Sequence, residues 1–218
     1  MTSTTAPRIE RIEIPAMEIG SFSLRLVGTT PLIVHRWSEK AKEEMRLKQM
    51  KRAKLAKLAK DPWGLFLESL YWVSERPPVI AEDSDLGMYS FGFPVIAFKA
   101  AAVTAAMDAD LKKTQARRAF RIDAPDGGEL VPIEGPAPVK REDMVRIGMG
   151  TADLRYRGEF FPWAVKLNIR YNERGFLSKA QIVNLFNVAG FAVGVGEWRN
   201  EKDGIYGAFR VQSEEESQ

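Results

Sequence analysis

Apolar and polar residues alternate around Ile12 and Ile14 and again through Phe22, Leu24 and Leu26. A period of two is what a half-buried strand requires, and the clearer strand is predicted over 21–28. Thr29, Thr30 and Pro31 end it, because proline has no backbone N–H and steers the residue before it away from helix. Beyond Leu32, Ile33 and Val34 the pattern changes. Residues 38–60 are rich in Lys, Arg, Ala, Leu and Met, which favour helix, with Ser38 placed to cap the N-terminus and Glu39 in the first turn. At about 100° per residue, Lys40, Lys42, Arg46, Lys48, Lys51, Arg52, Lys54, Lys57 and Lys60 point to nearly every side. Such a helix cannot be buried along its length and is predicted to project as a basic arm; an ordinary solvated helix fits the same charges.

Asp61 and Pro62 restart the chain as cap and first helical residue, and Trp63, Phe66, Leu67, Leu70 and Tyr71 form one apolar helix face. Pro77 and Pro78 end it, and 79–92 is read as an extended piece with a turn. An alanine-rich helix is predicted over 93–107, close against a sheet. Residues 112–121 are basic with one aromatic, the composition of a phosphate-contacting loop or of an exposed helix end. After a turn at Asp126, Gly127 and Gly128, strands are predicted at 130–133, where Pro132 marks an edge, and at 144–150, 153–156 and 160–171. The last carries Trp163, Val165, Leu167, Ile169 and Tyr171 on one face and Lys166, Asn168 and Arg170 on the other. Ser178 and Gln181 have capping-box spacing, Ile182, Leu185, Phe186 and Ala189 make the stripe of the helix they open, and Gly190 is its expected stop. Residues 190–211 then read as a glycine-rich β-hairpin.

Setting aside 31–92 as a mostly helical insertion containing the arm at 38–60, the remaining order is βαββαβ. That predicts an α+β fold of ferredoxin-like type, an antiparallel sheet with its helices on one face, in a single domain over 1–218. Residues 212–218 form an acidic tail.

Composition narrows the chemistry. With 218 residues, 45% hydrophobic and 28% charged, the chain can bury a sizeable core. A net charge of +3 is too small to argue for an anionic partner, but the cations cluster. Cysteine is absent and histidine occurs once, which rules out disulfides and zinc sites of thiolate and imidazole. No apolar run reaches the length of a membrane span and the N-terminus lacks a signal-peptide core, so a cytoplasmic protein is expected, with no cofactor.

Gly194, Gly196, Gly204 and Gly207 leave room for a backbone to approach, and amides exposed there can donate to phosphate; a plain hairpin whose glycines relieve packing fits equally. Arg199 adds charge beside them, and Arg36, Lys48, Lys51, Arg52, Lys99, Arg117, Arg118 and Arg121 complete a candidate nucleic-acid-binding set. Trp37, Phe120, Trp198 and Tyr206 are candidate stacking aromatics, since single strands are held by cations interleaved with rings. Asp108, Asp110, Asp123 and Asp126 are carboxylates able in principle to hold magnesium, though turn and helix-end roles suit them better.

Gly194-Val195-Gly196 with Arg199, followed by Gly204-Ile205-Tyr206-Gly207-Ala208-Phe209, resembles the glycine-rich loop of the RAMP superfamily, CRISPR-associated RNA-binding proteins of ferredoxin-like fold. Residues 93–101 are similar to the run that opens their first helix, and Thr30-Pro31-Leu32 to the end of their first strand. The whole chain also resembles a conserved family of uncharacterised bacteriophage proteins. In the loop, Glu197, Trp198 and Asn200 depart from the denser glycine of the RAMP pattern. The resemblance implies a non-catalytic protein that coats single-stranded RNA or DNA as a homo-oligomer in a bacterial or phage-infected cell. It also implies an alternative, a metal-independent endoribonuclease using His35 as general acid or base, with Tyr71, Tyr89 or Lys40 assisting. A phage assembly or interaction protein with no nucleic-acid role is the third reading.

Overall fold

β1 (Ile19–Gly28) is the strand around which the larger sheet is assembled. In this computed structural model, residues 13–52, 59–82, 84–148 and 150–213 are described. The alternation of β1 buries Leu24 and Leu26 and exposes Ser21, Ser23 and Arg25. Pro31 interrupts it, and β2 (Leu32–Val34) follows, buried throughout. Ser38 caps α1 (Glu39–Gln49), its Oγ accepting the Ala41 N–H at 3.1 Å. The helix is shorter than the span 38–60 suggests, and residues 53–58 of the expected arm lie outside the described residues. α1 buries none of its side chains. α2 (Pro62–Ser69) buries Phe66 and Leu67; Asp61 precedes it, but its carboxylate bonds to no N-terminal amide. The described residues of 31–92 are therefore only partly helical, and their β2 belongs to a sheet.

β3 (Gly92–Pro94) replaces the first turn of the helix expected at 93, and α3 (Val95–Ala105) follows with Phe98, Ala101, Ala102 and Ala105 buried. Residues 112–121 are neither loop nor free helix end: α4 (Lys113–Ala119) leads directly into β4 (Phe120–Asp123). β5 (Leu130–Pro132) pairs with β3. The strands expected at 144–150 and 153–156 are halves of one long hairpin, β6 (Val139–Ile147) and β7 (Thr151–Phe160). β8 (Ala164–Asn172) begins later than residue 160 and alternates as expected.

α5 (Lys179–Val188) has the full capping box between Ser178 and Gln181. Gly190 does not stop it. The helix widens into a π-helical turn, Ala189–Val193, and ends at Gly194 with φ 73°. The expected hairpin over 190–211 is thus a correction: a turn, a loop and a short 3₁₀ turn at Asn200–Lys202 lead to β9 (Phe209–Val211).

The larger sheet has the order β4-β8-β1-β9, with every neighbouring pair antiparallel. β2-β7-β6 form a second sheet and β3-β5 a third. The molecule is α+β with antiparallel sheets. α3 and α5 pack on one face of the four-stranded sheet, where Phe98 meets Phe209 with ring centroids 6.0 Å apart and Phe186 meets Phe120 at 5.7 Å. One hydrophobic cluster runs from this layer through Trp163 and Phe160 to Phe66 and Leu70, joining the first two sheets.

Candidate nucleic-acid interface

Register places the residues of the larger sheet's other face. Leu24 faces Leu167 and Phe22 faces Ile169 on the helix side, so the residues between them point away from the helices. Arg121, Arg170 and Ser21 form one row across β4, β8 and β1; Asp123, Asn168 and Ser23 form the next; Lys166 and Arg25 form a third. Arg210 of β9 lies beside Val27. Lys166, Arg170, Arg25, Arg121 and Arg210 are all exposed. Arg170 pairs with Asp123 at 2.5 Å and Arg25 with Glu134 at 2.5 Å, while Lys166 and Arg121 have no carboxylate partner among the described residues. Among the outward residues of these strands there is no aromatic. Sequence reasoning saw the basic outer face of β8 but not that β4 and β1 extend it, because pairing cannot be read from a single strand.

Arg117 and Arg118 lie exposed in the last turn of α4, which packs on α3 and leads into β4, and among the described residues they too have no carboxylate partner. Lys99 turns inward instead. Its Nζ donates to the Phe120 carbonyl at 2.8 Å and sits 5.4 Å from the ring centroid, with burial and the Arg121 charge lowering its pKa. Phe120 is 2% exposed, so it is a core ring and no stacking platform; alternation turns residue 120 inward and residue 121 outward.

The glycine-rich loop lies at the opposite edge. β4 and β9 are separated by β8 and β1, three strand spacings or about 14 Å. The structure therefore does not bring Arg117, Arg118 and Arg121 together with Gly194, Gly196, Gly204 and Gly207. The loop glycines face the protein's own backbone. A Cβ on Gly196 would meet the Ile33 carbonyl, one on Gly204 the Trp198 carbonyl, one on Gly207 the Val195 carbonyl, and Gly194 lies against Gly207. The Glu197 N–H donates to the Ile33 carbonyl and the Gly207 N–H to the Pro31 carbonyl. Gly207, at φ 66°, holds a left-handed conformation that a side chain would strain.

A charge network missed in the sequence fastens this loop to the β6–β7 hairpin. Arg157, with a side chain only 6% exposed, pairs with Asp143 at 3.0 Å and lies 3.6 Å from Glu197. Arg141 bonds Asp143 and Glu159, each at 2.7 Å, and donates to the Tyr206 hydroxyl at 3.1 Å. Burial opposes the Arg141 charge, but these acceptors outweigh it and hold the guanidinium protonated. The Arg141 cation lies over the Tyr206 ring at 4.7 Å and that of Arg157 over Trp198 at 5.7 Å. Arg199 bonds Glu201 at 2.9 Å and the Gly196 carbonyl at 3.2 Å. These partners run from Arg141 to Tyr206 in the sequence and only the fold assembles them.

His35 lies at this junction, its Nδ1 3.9 Å from Glu197, too long for a hydrogen bond. Burial first, then the Arg157 charge, lower its pKa; Glu197 opposes them and Arg155 adds to them. Tyr71 packs edge-on against Phe93 and Tyr89 against Trp72. Arg36 bonds Glu39 at 3.2 Å, and Lys48, Lys51 and Arg52 stand exposed on and just after α1, as does Trp37. Lys40 is on the same helix.

Among the described residues, no group of three or more His, Asp or Glu side chains gathers as a metal site requires, and no helix is long and apolar enough to cross a membrane. Set against protein-family models and against curated proteins, the chain matches none.

Proposed function

We propose that this chain binds single-stranded nucleic acid without cutting it, as a multimer in the cytoplasm of a bacterial or phage-infected cell. One observation carries the reading: the four-stranded sheet is covered by helices on one face only, and its open face presents Arg25, Arg121, Lys166, Arg170 and Arg210. Duplex grooves are read by an inserted helix or ribbon, whereas an open sheet suits an extended strand. The absence of aromatics among the outward strand residues makes phosphate the group engaged there, which gives affinity with little sequence preference.

The chain order β1-α3-β4-β8-α5-β9 and the spatial order β4-β8-β1-β9 support a ferredoxin-like core. A RAMP-like ancestry for that core, in a phage setting, is part of the same proposal. α1, which buries no side chain, adds Lys40 and Lys48, exposed cations with no carboxylate partner among the described residues.

Fluorescence anisotropy with labelled oligothymidylate and oligouridylate across a salt series tests the reading. Binding that weakens linearly in log K against log salt, with similar affinity for different sequences, is expected. Folded protein in micromolar excess that leaves every single strand unbound at low salt would remove the reading.

A further inference from the structure

The edge of the sheet at β9 carries a feature that the phosphate-binding reading does not use. A groove of about 450 Å³ runs beside β9, lined by Thr29, Asn187, Phe191, Asn200, Ile205 and Arg210 among others. Its volume falls within the roughly 300–1,000 Å³ of small-molecule sites. Phe191 is 84% exposed and Ile205 74%, the two large apolar side chains on the groove that contact with water disfavours most. Phe191 is presented by the π-helical turn that follows α5, an irregularity frequent at functional sites.

The polar groups have a defined sense. Asn187 accepts the Val211 N–H through Oδ1 at 2.8 Å, which leaves its NH₂ to donate. Asn200 donates through Nδ2 to the Ala192 carbonyl at 2.8 Å, which leaves its Oδ1 to accept. Neither amide can be turned over without losing its partner, since an N–H only donates and a carbonyl only accepts. The groove thus offers one amide donor and one amide acceptor beside an exposed aromatic ring. Arg210 lies on both surfaces, as the outward residue of β9 and as a lining residue of the groove.

We propose that this groove takes one unpaired base of a strand bound across the open face, stacked on Phe191 and bonded at its edge by Asn187 and Asn200, with Arg210 beside the connecting phosphate. The proposal rests on the single-strand reading and adds to it a base-recognising subsite on a surface that otherwise engages phosphate alone. Continuity through Arg210 favours a base over other occupants: a strand leaving the cationic face over β9 passes directly to the groove.

The test compares wild type with Phe191→Ala, a surface change that leaves the core intact, on labelled oligothymidylate and on an oligomer of the same length made of abasic sites. Stacking on one aromatic side chain is worth about tenfold in affinity. Phe191→Ala is expected to bind oligothymidylate about tenfold more weakly than wild type, while the two proteins bind the abasic oligomer equally. Equal binding of oligothymidylate by both proteins would overturn the subsite and leave the single-strand reading standing. No binding by wild type to either oligomer would overturn the reading itself. A change of oligomeric state in Phe191→Ala by size-exclusion chromatography, with oligothymidylate affinity unaltered, would overturn the proposal by assigning the groove to a second copy of the chain.

Discussion

On the open face of the four-stranded sheet, Lys166 and Arg121 have no carboxylate partner among the described residues, whereas Arg141, Arg157 and Arg199 around the glycine-rich loop are each bonded to at least one. Both regions hold cations, and the loop adds glycines and aromatics. The loop's glycines face carbonyls of the protein itself, and the arginines around it face carboxylates of the loop and of the β6–β7 hairpin. The sheet pairs Arg25 with Glu134 and Arg170 with Asp123 but leaves Lys166 and Arg121 without an anion among the described residues. A cation is available to phosphate only when the fold supplies no anion for it, and that depends on which strands become neighbours.

The largest effect that would break this contrast is on Arg157. Replacing it by alanine removes the buried guanidinium and leaves the half-buried Asp143 carboxylate with Arg141 alone, and a loss of about 3–5 kcal/mol in urea denaturation is expected. A neutral result would mean that the loop's charges are not internal after all. Gly207→Ala should cost about 2–4 kcal/mol, since the new methyl meets the Val195 carbonyl in a left-handed conformation. Tight oligonucleotide binding by a stably folded Gly207→Ala would return the loop glycines to a ligand-facing role.

On the sheet the expectation reverses. Lys166→Glu combined with Arg121→Glu should change stability by no more than about 0.5 kcal/mol, yet weaken oligothymidylate binding at least about tenfold and flatten the salt dependence by about 1.4 log units per log unit, two phosphate contacts' worth. The smallest effect concerns His35. Its folded pKa lies below the ordinary 6.5, so the unfolded chain takes up the proton first as pH falls. The stability associated with neutral His35 is present above pH 6.5 and is lost progressively below it. Thermal melts of wild type should fall more steeply than those of His35→Gln between about pH 7.5 and about pH 5.5. Identical slopes would show that neither burial nor the Arg157 charge lowers the His35 pKa.

Much of the fold was legible where one face of an element meets the core. The alternation in β1 and β8 and the Ser38 and Ser178 caps depend on residues close in sequence, and each appears in the structure. The β6–β7 hairpin was legible only in pieces, because a strand with charges on both faces, Lys140, Arg141, Glu142, Asp143 and Arg146, shows no apolar period to follow. Residues 190–193 looked like strand because Phe191 and Val193 alternate, but Gly190 lies against the Phe209 carbonyl and the chain there stays wound. At the candidate site, Arg117, Arg118 and Arg121 were visible as a basic run. The junction of Arg121 with Lys166, Arg170 and Arg25 was not, since it exists only through the pairing of β4, β8 and β1.

That pairing also sets an order of events in time. β1 lies at the centre of its sheet, yet its partners come late: Ser23 bonds Asn168 across 145 residues, and β9 closes the other side near the end of the described chain. On a ribosome adding about 5–20 residues per second, β1 waits several seconds or more for its first neighbour. During that interval Leu24 and Leu26 have no sheet to enter. Folding dominated by such distant contacts is slow, and an unpaired strand with Leu24 and Leu26 uncovered is open to pairing elsewhere until β8 arrives.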